Sequence, residues 1–323
     1  MSPRGLYGSA RPCGRFAPSP TGPLHFGSLV AALASCCDAR ALRGRWLVRI
    51  EDVDTPRTRR GAADAILATL ERYGFRWDGP VVRQSERTAL YASALEQLRS
   101  GGAVYECACT RRENSLAPVG AGGEHIYAGT CRNGIPEDRR DRTVRAWRMR
   151  VPGDPAAATI AWCDRLQGAQ SQDLAHDVGD FVVKRADGLF AYQLAVVVDD
   201  AAQGVTHVVR GADLLASTPR QILLQRTLGL PVPAYLHHPV AQDRDGGKLS
   251  KETRAARLPD DPVSALLAAW QFLDQPQGTG SAQPISVAEF WAHALAAFDP
   301  ARLPPVMQLA APRDFGRGYD GAV

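Results

Sequence analysis

Between Arg15 and Leu33 the chain reads RFAPSPTGPLHFGSLVAAL: two prolines and a Thr-Gly turn, then a histidine and a glycine at the mouth of an apolar helix. The first turn of a helix offers unpaired N–H groups and the positive end of the helix dipole, which suits a phosphate chain. In that reading Gly27 leaves room for a ligand against the backbone, and His25 and Ser28 add donors. The plainer reading is a Gly22-Pro23 turn with His25 capping the helix. A second stretch, GKLSKE at 247–252, is by itself a polar loop with two solvated lysines. Beside a phosphate site, Lys248 and Lys251 on a mobile loop would close over the phosphates and stabilise charge developing during transfer.

Three of the seven cysteines cluster as Cys107-x-Cys109 and, further on, Cys131. Such a set suits a structural zinc better than a redox pair in the cytoplasm. Tetrahedral zinc needs a fourth ligand, and on chemistry alone His125 is the ordinary one. The bland alternative is three buried free thiols. Cys13, Cys36, Cys37 and Cys163 are scattered and read as structural. Glu51 follows the apolar run WLVRI, so it sits at the carboxyl end of a strand, where open α/β sheets bind ligands. Its competing role is a salt bridge with Arg49 or Arg57.

The elements that must hold these residues follow from the pattern. Strand-like GRWLVRIEDVD, helix-like AADAILATLERYG and helix-like ALYASALEQLRSGG alternate as in a doubly wound α/β sheet. From Tyr105 the chain turns rich in Arg, Gly and Pro, with short β-like pieces such as TVRAWRMRV, as an insertion with its own small fold would. Alternation returns with DFVVKR and THVVRGADLL, then the helix TPRQILLQRTLGL. DPVSALLAAWQFL opens a helical C-terminal part, and PRDFGRGYDGAV reads as a frayed tail. At 323 residues, 45% hydrophobic and 22% charged, the chain suffices for one large or two ordinary domains. A net charge of +4 permits a nucleic-acid partner only through a local basic surface. No apolar run approaches a bilayer span, and the leader MSPRGLYGSARPCG lacks the core of a secretory signal, so a cytoplasmic protein with no membrane partner is expected.

His25-x-Gly27 and KLSK together resemble the HIGH and KMSKS signatures of class I aminoacyl-tRNA synthetases. VRIEDVDTPR, FAYQLAVVVDDA and HVVRGADLLASTPRQ resemble the glutamyl and glutaminyl branch, and the likeness runs from Gly14 to about Pro262. The resemblance implies a Rossmann-type doubly wound parallel sheet with an inserted zinc subdomain and a short helical C-terminal region. It divides the chain into a catalytic half at 14–104, the insertion at 105–180, a second catalytic half at 181–240, and a loop and stem-contact region at 241–323. It implies that His25, Gly27, Lys248 and Lys251 are catalytic and, with Ser28, bind ATP as its magnesium complex, Lys251 being the principal lysine. It implies that Arg15, Phe16, Ala17, Pro18 and Ser19 line the glutamate pocket. Glu51 would hold the substrate ammonium, while Tyr192 and Arg210 meet its side-chain carboxylate with Arg15. Two arginines and one acid match the two carboxylates and one ammonium of glutamate, and a bidentate arginine separates a carboxylate from an amide.

The Cys-x-Cys…Tyr-x-x-x-Cys spacing resembles that of glutamyl-Q tRNA(Asp) synthetases and implies one structural zinc on Cys107, Cys109, Tyr127 and Cys131, with His125 kept as the alternative to Tyr127. The stretch after Glu252 is too short for the helical anticodon-binding region of a full bacterial glutamyl-tRNA synthetase. The expected partners are therefore L-glutamate, ATP and a tRNA(Asp) bearing queuosine, and the expected state is a monomer. Glutamate is expected to be activated without tRNA and passed to the queuosine at the wobble position. The competing reading is a truncated glutamyl-tRNA synthetase that charges a 3′ end. Two departures stand out: Ser28 replaces the last histidine of the first signature, and Glu252 replaces the final serine of the second.

Overall fold

The structure, a computed structural model, describes residues 11–120, 125–243, 257–277, 284 and 286–315. In chain order its strands and helices begin with β1 (Cys13–Phe16), α1 (Phe26–Ala41), β2 (Arg45–Ile50), α2 (Ala62–Arg72), β3 (Val82–Arg83) and α3 (Thr88–Ser100). A middle segment follows with β4 (Val104–Cys107), α4 (Arg111–Asn114), β5 (Ala146–Met149), α5 (Pro155–Ala158), β6 (Thr159–Asp164), β7 (Gly168–Asp173), α6 (Leu174–Asp177) and β8 (Phe181–Lys184). The last part holds α7 (Tyr192–Ala202), β9 (His207–Gly211), α8 (Thr218–Leu228), β10 (Ala234–His238), β11 (Val240–Gln242), α9 (Pro262–Phe272), α10 (Val287–Ala297) and β12 (Gln308–Ala310).

Strands β1, β2 and β3 form one parallel sheet, and β9, β10 and β6 a second, with β7 antiparallel outside β6. Thr206 joins them. Its N–H donates to the Cys13 carbonyl at 2.9 Å, and its hydroxyl accepts from the Cys13 N–H at 2.8 Å, which sets β9 beside β1. The order across the junction is therefore β3-β2-β1-β9-β10-β6-β7, and its direction of growth reverses between β1 and β9. That is the switch point at which such sheets leave a crevice. The segment expected as a separate insertion thus supplies the far edge of the second sheet through β6 and β7. Arg165, in the turn between them, reinforces this with a two-pronged pair to Asp38 of α1 at 2.7 and 2.8 Å. The rest of the middle segment forms its own antiparallel sheet, β4-β5-β8.

Both faces of the parallel strands are covered, and side-chain alternation sorts them. Trp46, Val48, Val209 and Leu236 join the core shared with α1, α2, α9 and α10, whereas Cys13, Leu47, Val208 and Tyr235 join the core shared with α3, α7 and α8. Helix α1 is buried almost all round, which its small Ala, Ser and Cys residues allow. A Cβ on Gly14 would already stand 3.1 Å from the Ala39 Cβ. Gly74 ends the turn after α2 at φ +78°, and a side chain there would collide with Val287 and Trp291 of α10. The expected frayed tail is anchored at its start, because the Phe315 ring stacks 4.7 Å from Phe26. Among the described residues no helix is long and apolar enough to cross a membrane.

Candidate active site and metal centre

On the face packed by α7 and α8, four strands change from apolar to polar within one pleat. Cys13 is followed by Arg15, Leu47 by Arg49, Val208 by Arg210 and Tyr235 by His237, all buried. These changes fall toward the carboxyl ends of β1, β2, β9 and β10, so the strands deliver a charged layer to the switch point.

A cavity of about 650 Å³ opens there, lined by Arg15, Phe16, Ala17, Ser19, Glu51, Tyr192 and Arg210 from the expected glutamate set. Pro18 does not line it, but its carbonyl accepts the Glu51 N–H at 3.0 Å and so fixes where that carboxylate begins. The cavity also takes in Asp54, Gln84, Arg185, Phe190 and Leu214, which the sequence reading did not single out, and Arg57, considered there only as a partner for Glu51. Asp54 receives Arg57 at 2.6 Å and Arg185 at 3.1 Å, tying the loop after β2 to the turn after β8.

Beneath the cavity lies a buried ion cluster. Asp200 takes Arg49 at 2.8 Å and Arg15 at 3.2 Å. Glu51 forms the salt bridge anticipated with Arg49, at 3.2 Å, and also faces the cavity. Asp199 is held by Arg87 at 2.6 Å, the Tyr91 hydroxyl at 2.8 Å and Gln84 at 2.9 Å. Burial pushes the Asp200 carboxyl up, yet Arg15 and Arg49 more than offset that and hold it below its ordinary range. For Glu51 the balance falls the other way: burial raises it despite Arg49 and Arg15.

Arg210 differs from Arg15 and Arg49, both of which Asp200 compensates. Its partners are all neutral: His237 Nε2 at 2.9 Å, Gln221 Oε1 at 2.8 Å, Thr218 Oγ1 at 2.9 Å, and the longer contacts to Leu214 O at 3.4 Å and the Tyr192 hydroxyl at 3.5 Å. Among the described residues no carboxylate pairs with this guanidinium, which is 5% exposed in the cavity wall.

His25 is the residue before α1, and Gly27 and Ser28 fall in its first turn. None of the three lines this cavity, which reaches the same helix at Ala31. Lys248 and Lys251 lie outside the described residues.

In the middle segment the Cys107, Cys109 and Cys131 sulfurs lie within 4.8 Å of one another. The Tyr127 hydroxyl stands 3.3 Å from Cys107 Sγ and 3.4 Å from Cys109 Sγ, and accepts the Cys131 N–H at 2.8 Å. Four donor atoms at this spacing fit a tetrahedral ion. The Arg148 Nε donates to Cys107 Sγ at 3.3 Å with its guanidinium 3.7 Å over the Tyr127 ring, and Arg139 donates to Cys109 Sγ at 2.9 Å. Cations placed against sulfur suit thiolates, the form that binds metal. His125 is turned away from this group, its Nδ1 2.8 Å from the Ala117 carbonyl.

The sequence reading missed the acid pair Asp199-Asp200 and the Asp164–His237 pair, and considered Arg49 only as a partner for Glu51. A signal existed for all but Asp164: VVVDDA ends an apolar run in two acids, and RWLVRI and AYLHH put polar residues where alternation calls for apolar ones.

The parallel sheet, its switch-point cavity and the antiparallel cysteine subdomain match the arrangement that the resemblance to class I tRNA synthetases implies. A family model described as tRNA synthetases class I (E and Q), catalytic domain, matches residues 13–265. The glutamyl-Q tRNA(Asp) synthetase of Aromatoleum aromaticum is 55% identical over 307 residues, covering 94% of this chain and 93% of that protein. That of Thiobacillus denitrificans is 60% identical over 255 residues, covering 79% and 82%. Among solved structures, a glutamate tRNA ligase from Elizabethkingia meningosepticum in complex with its amino acid superposes with a TM-score of 0.76 at 25% identity, covering 94% of this chain and 68% of that one. The chain belongs to the glutamyl-Q tRNA(Asp) synthetases, within the class I synthetases for glutamate and glutamine.

Proposed function

We propose that this enzyme uses ATP to activate L-glutamate as glutamyl-adenylate without tRNA, then transfers the glutamyl group to queuosine at the anticodon wobble position of tRNA(Asp). The observation that carries the amino-acid choice is Arg210, a buried cation on the cavity wall with neutral partners only. A glutamate side chain supplies the missing carboxylate, and the amide of glutamine does not. Tyr192 adds its hydroxyl to that carboxylate, Arg15 adds positive potential tempered by Asp200, and Glu51 receives the ammonium. Phe16, Ala17, Pro18 and Ser19 shape the wall.

ATP, as its magnesium complex, would lie at the start of α1 against His25, Gly27 and Ser28, with Lys248 and Lys251 closing over the phosphates. The substrate carboxylate attacks the α-phosphorus, pyrophosphate leaves, and a queuosine hydroxyl then attacks the acyl carbon as AMP departs. Zinc on Cys107, Cys109, Tyr127 and Cys131 supplies folding energy to the middle segment and takes no part in these steps. Arginines of that segment meet RNA phosphates. The enzyme acts as a monomer in the cytoplasm.

Two measurements test this together. Glutamate-dependent ATP–pyrophosphate exchange should proceed with no RNA present, and a tRNA(Asp) anticodon stem-loop should accept labelled glutamate only when it bears queuosine. Label that leaves with the 3′ terminal nucleotides of full tRNA would make the enzyme an ordinary synthetase.

A further inference from the structure

Behind Arg210 lies a buried chain of groups that belongs neither to the cavity wall nor to the ion cluster. The Arg210 Nε stands 2.9 Å from His237 Nε2, and His237 Nδ1 stands 2.6 Å from Asp164 Oδ2, with the His237 and Asp164 side chains fully sealed from solvent. Guanidinium is always a donor, so its Nε–H must meet a bare Nε2. The ring proton is therefore on Nδ1 and is donated to Asp164. The other Asp164 oxygen, Oδ1, accepts three backbone N–H groups, from Gln167 at 2.9 Å, Leu166 at 3.0 Å and His237 at 3.2 Å. Four donors converge on one carboxylate. Burial raises its pKa, but these bonds and the neighbouring His237 bring it below the ordinary range. Burial lowers His237 to about 4 even though Asp164 pulls the other way, so the ring is neutral in the working range.

We infer that Asp164 and His237 are positioning residues that set the ring tautomer and thereby the orientation of Arg210, so that β6 governs amino-acid choice from behind the pocket. The inference rests on the reading of Arg210 as partner of the substrate's side-chain carboxylate. With the Nε–H tied to His237 and one N–H of each terminal nitrogen on Gln221 or Thr218, the guanidinium plane is fixed. The long contacts to Tyr192 and Leu214 leave one N–H on each terminal nitrogen for a two-pronged carboxylate.

Asparagine at position 164 cannot serve both sides. If its oxygen faces the ring, its NH₂ confronts three backbone N–H groups. If its oxygen faces those three, its NH₂ donates to Nδ1 and drives the ring proton to Nε2. Nε2–H then opposes Arg210 Nε–H, donor against donor. Three donors outweigh one, so the second arrangement wins and Arg210 must leave its plane.

The test reads the tautomer and the specificity separately in the full-length protein. Nitrogen NMR of ring-labelled histidine should show His237 protonated on Nδ1 in the parent and on Nε2 in Asp164→Asn; a parent ring protonated on Nε2 overturns the inference whatever the variants do. In tRNA-free exchange Asp164→Asn should raise the glutamate KM about 10- to 100-fold, the size of one charge-assisted hydrogen bond, and far more than it changes the ATP KM. His237→Gln, whose amide can accept from Arg210 and donate to Asp164, should recover most of the affinity that His237→Leu loses. Equal rises in both KM values, or no recovery by glutamine, would reduce the pair to a packing role. Arg210→Ala separates the two levels: if it leaves the glutamate KM untouched, the pocket reading falls; if it raises that KM while Asp164→Asn does not, only the relay falls.

Discussion

Asp200 of α7 holds the Arg49 guanidinium of β2 at 2.8 Å, with both side chains buried. The same carboxylate oxygen takes Arg15 of β1 at 3.2 Å, so one acid clamps two parallel strands from the helix that covers them. This changes the charge arithmetic of the site. Two arginines and one acid looked ready for glutamate, but Arg15 arrives at the cavity already compensated. Arg210 is the cavity arginine with which no carboxylate of the described residues pairs.

Removing the clamp should therefore cost stability before it costs specificity. Asp200→Asn leaves two buried guanidiniums short of a counter-charge, and urea unfolding at neutral pH should show a loss of about 3 kcal/mol. The pH dependence has a defined sign. Because folding lowers the Asp200 pKa, its contribution is present above the ordinary carboxylate range and fades as pH falls through the folded value. The variant's stability should fall less steeply in acid than the parent's. An identical acid slope would place the linkage elsewhere.

Much of the fold was legible because its signals are local. Alternating apolar runs, Gly74 and Gly101 as helix stops, and the strand before Glu51 all appear at the expected places. The expected glutamate set came from the family resemblance, and all of it but Pro18 lines one cavity. The pairings were not legible. Nothing near Asp38 in the sequence announces Arg165, and nothing near Arg210 announces Asp164, because these contacts depend on which strands become neighbours across the sheet. The β6–β7 hairpin misled for the same reason. Its composition belongs to the arginine-rich segment, while its edge is satisfied only beside β10. Tyr127 shows the opposite limit: no chemical rule prefers phenol to imidazole, and only the local spacing brings its hydroxyl onto the sulfurs while His125 turns to Ala117.

Glu51 should give glutamate binding a pH dependence of its own. Burial raises its carboxyl above the ordinary value of about 4.3, and only the ionised form can hold an ammonium. The glutamate KM should therefore climb as pH falls, starting above the range where a solvent-exposed glutamate would titrate. Glu51→Gln should raise the KM at neutral pH and abolish this dependence. Measuring exchange KM against pH for both proteins decides it; a parent flat through mild acid would contradict the assignment.

The thiol cluster predicts metal content by residue. Native protein should carry about one zinc per chain, and Cys107→Ser or Cys131→Ser should lose it and loosen the β4-β5-β8 sheet. Tyr127→Phe removes a donor that touches two sulfurs and should lower zinc retention against a chelator. His125→Ala should retain zinc like the parent. Elemental analysis after dialysis reads all four. Zinc lost from His125→Ala and kept by Tyr127→Phe would reverse the choice of ligand.

The RNA side is testable through charge. Arg99, Arg132, Arg140 and Arg150 line an open groove on the middle segment together with Tyr105 and Trp147, with Glu106 the sole acid in its lining. Arg150 lies 4.7 Å over the Tyr105 ring, so a cation and an aromatic face are presented as one surface. Such a groove favours a phosphate backbone, and each phosphate neutralised releases counterions, so affinity falls with salt. Arg140 is the informative residue, because its side chain is 69% exposed and its contact to Glu137 stretches to 4.0 Å, which leaves little structure to lose. Arg140→Glu should weaken binding of the queuosine stem-loop and flatten the slope of log affinity against log salt by about one unit. Transfer to the stem-loop should suffer far more than tRNA-free exchange does. Unchanged slope and transfer would mean that the RNA approaches the cavity from another side.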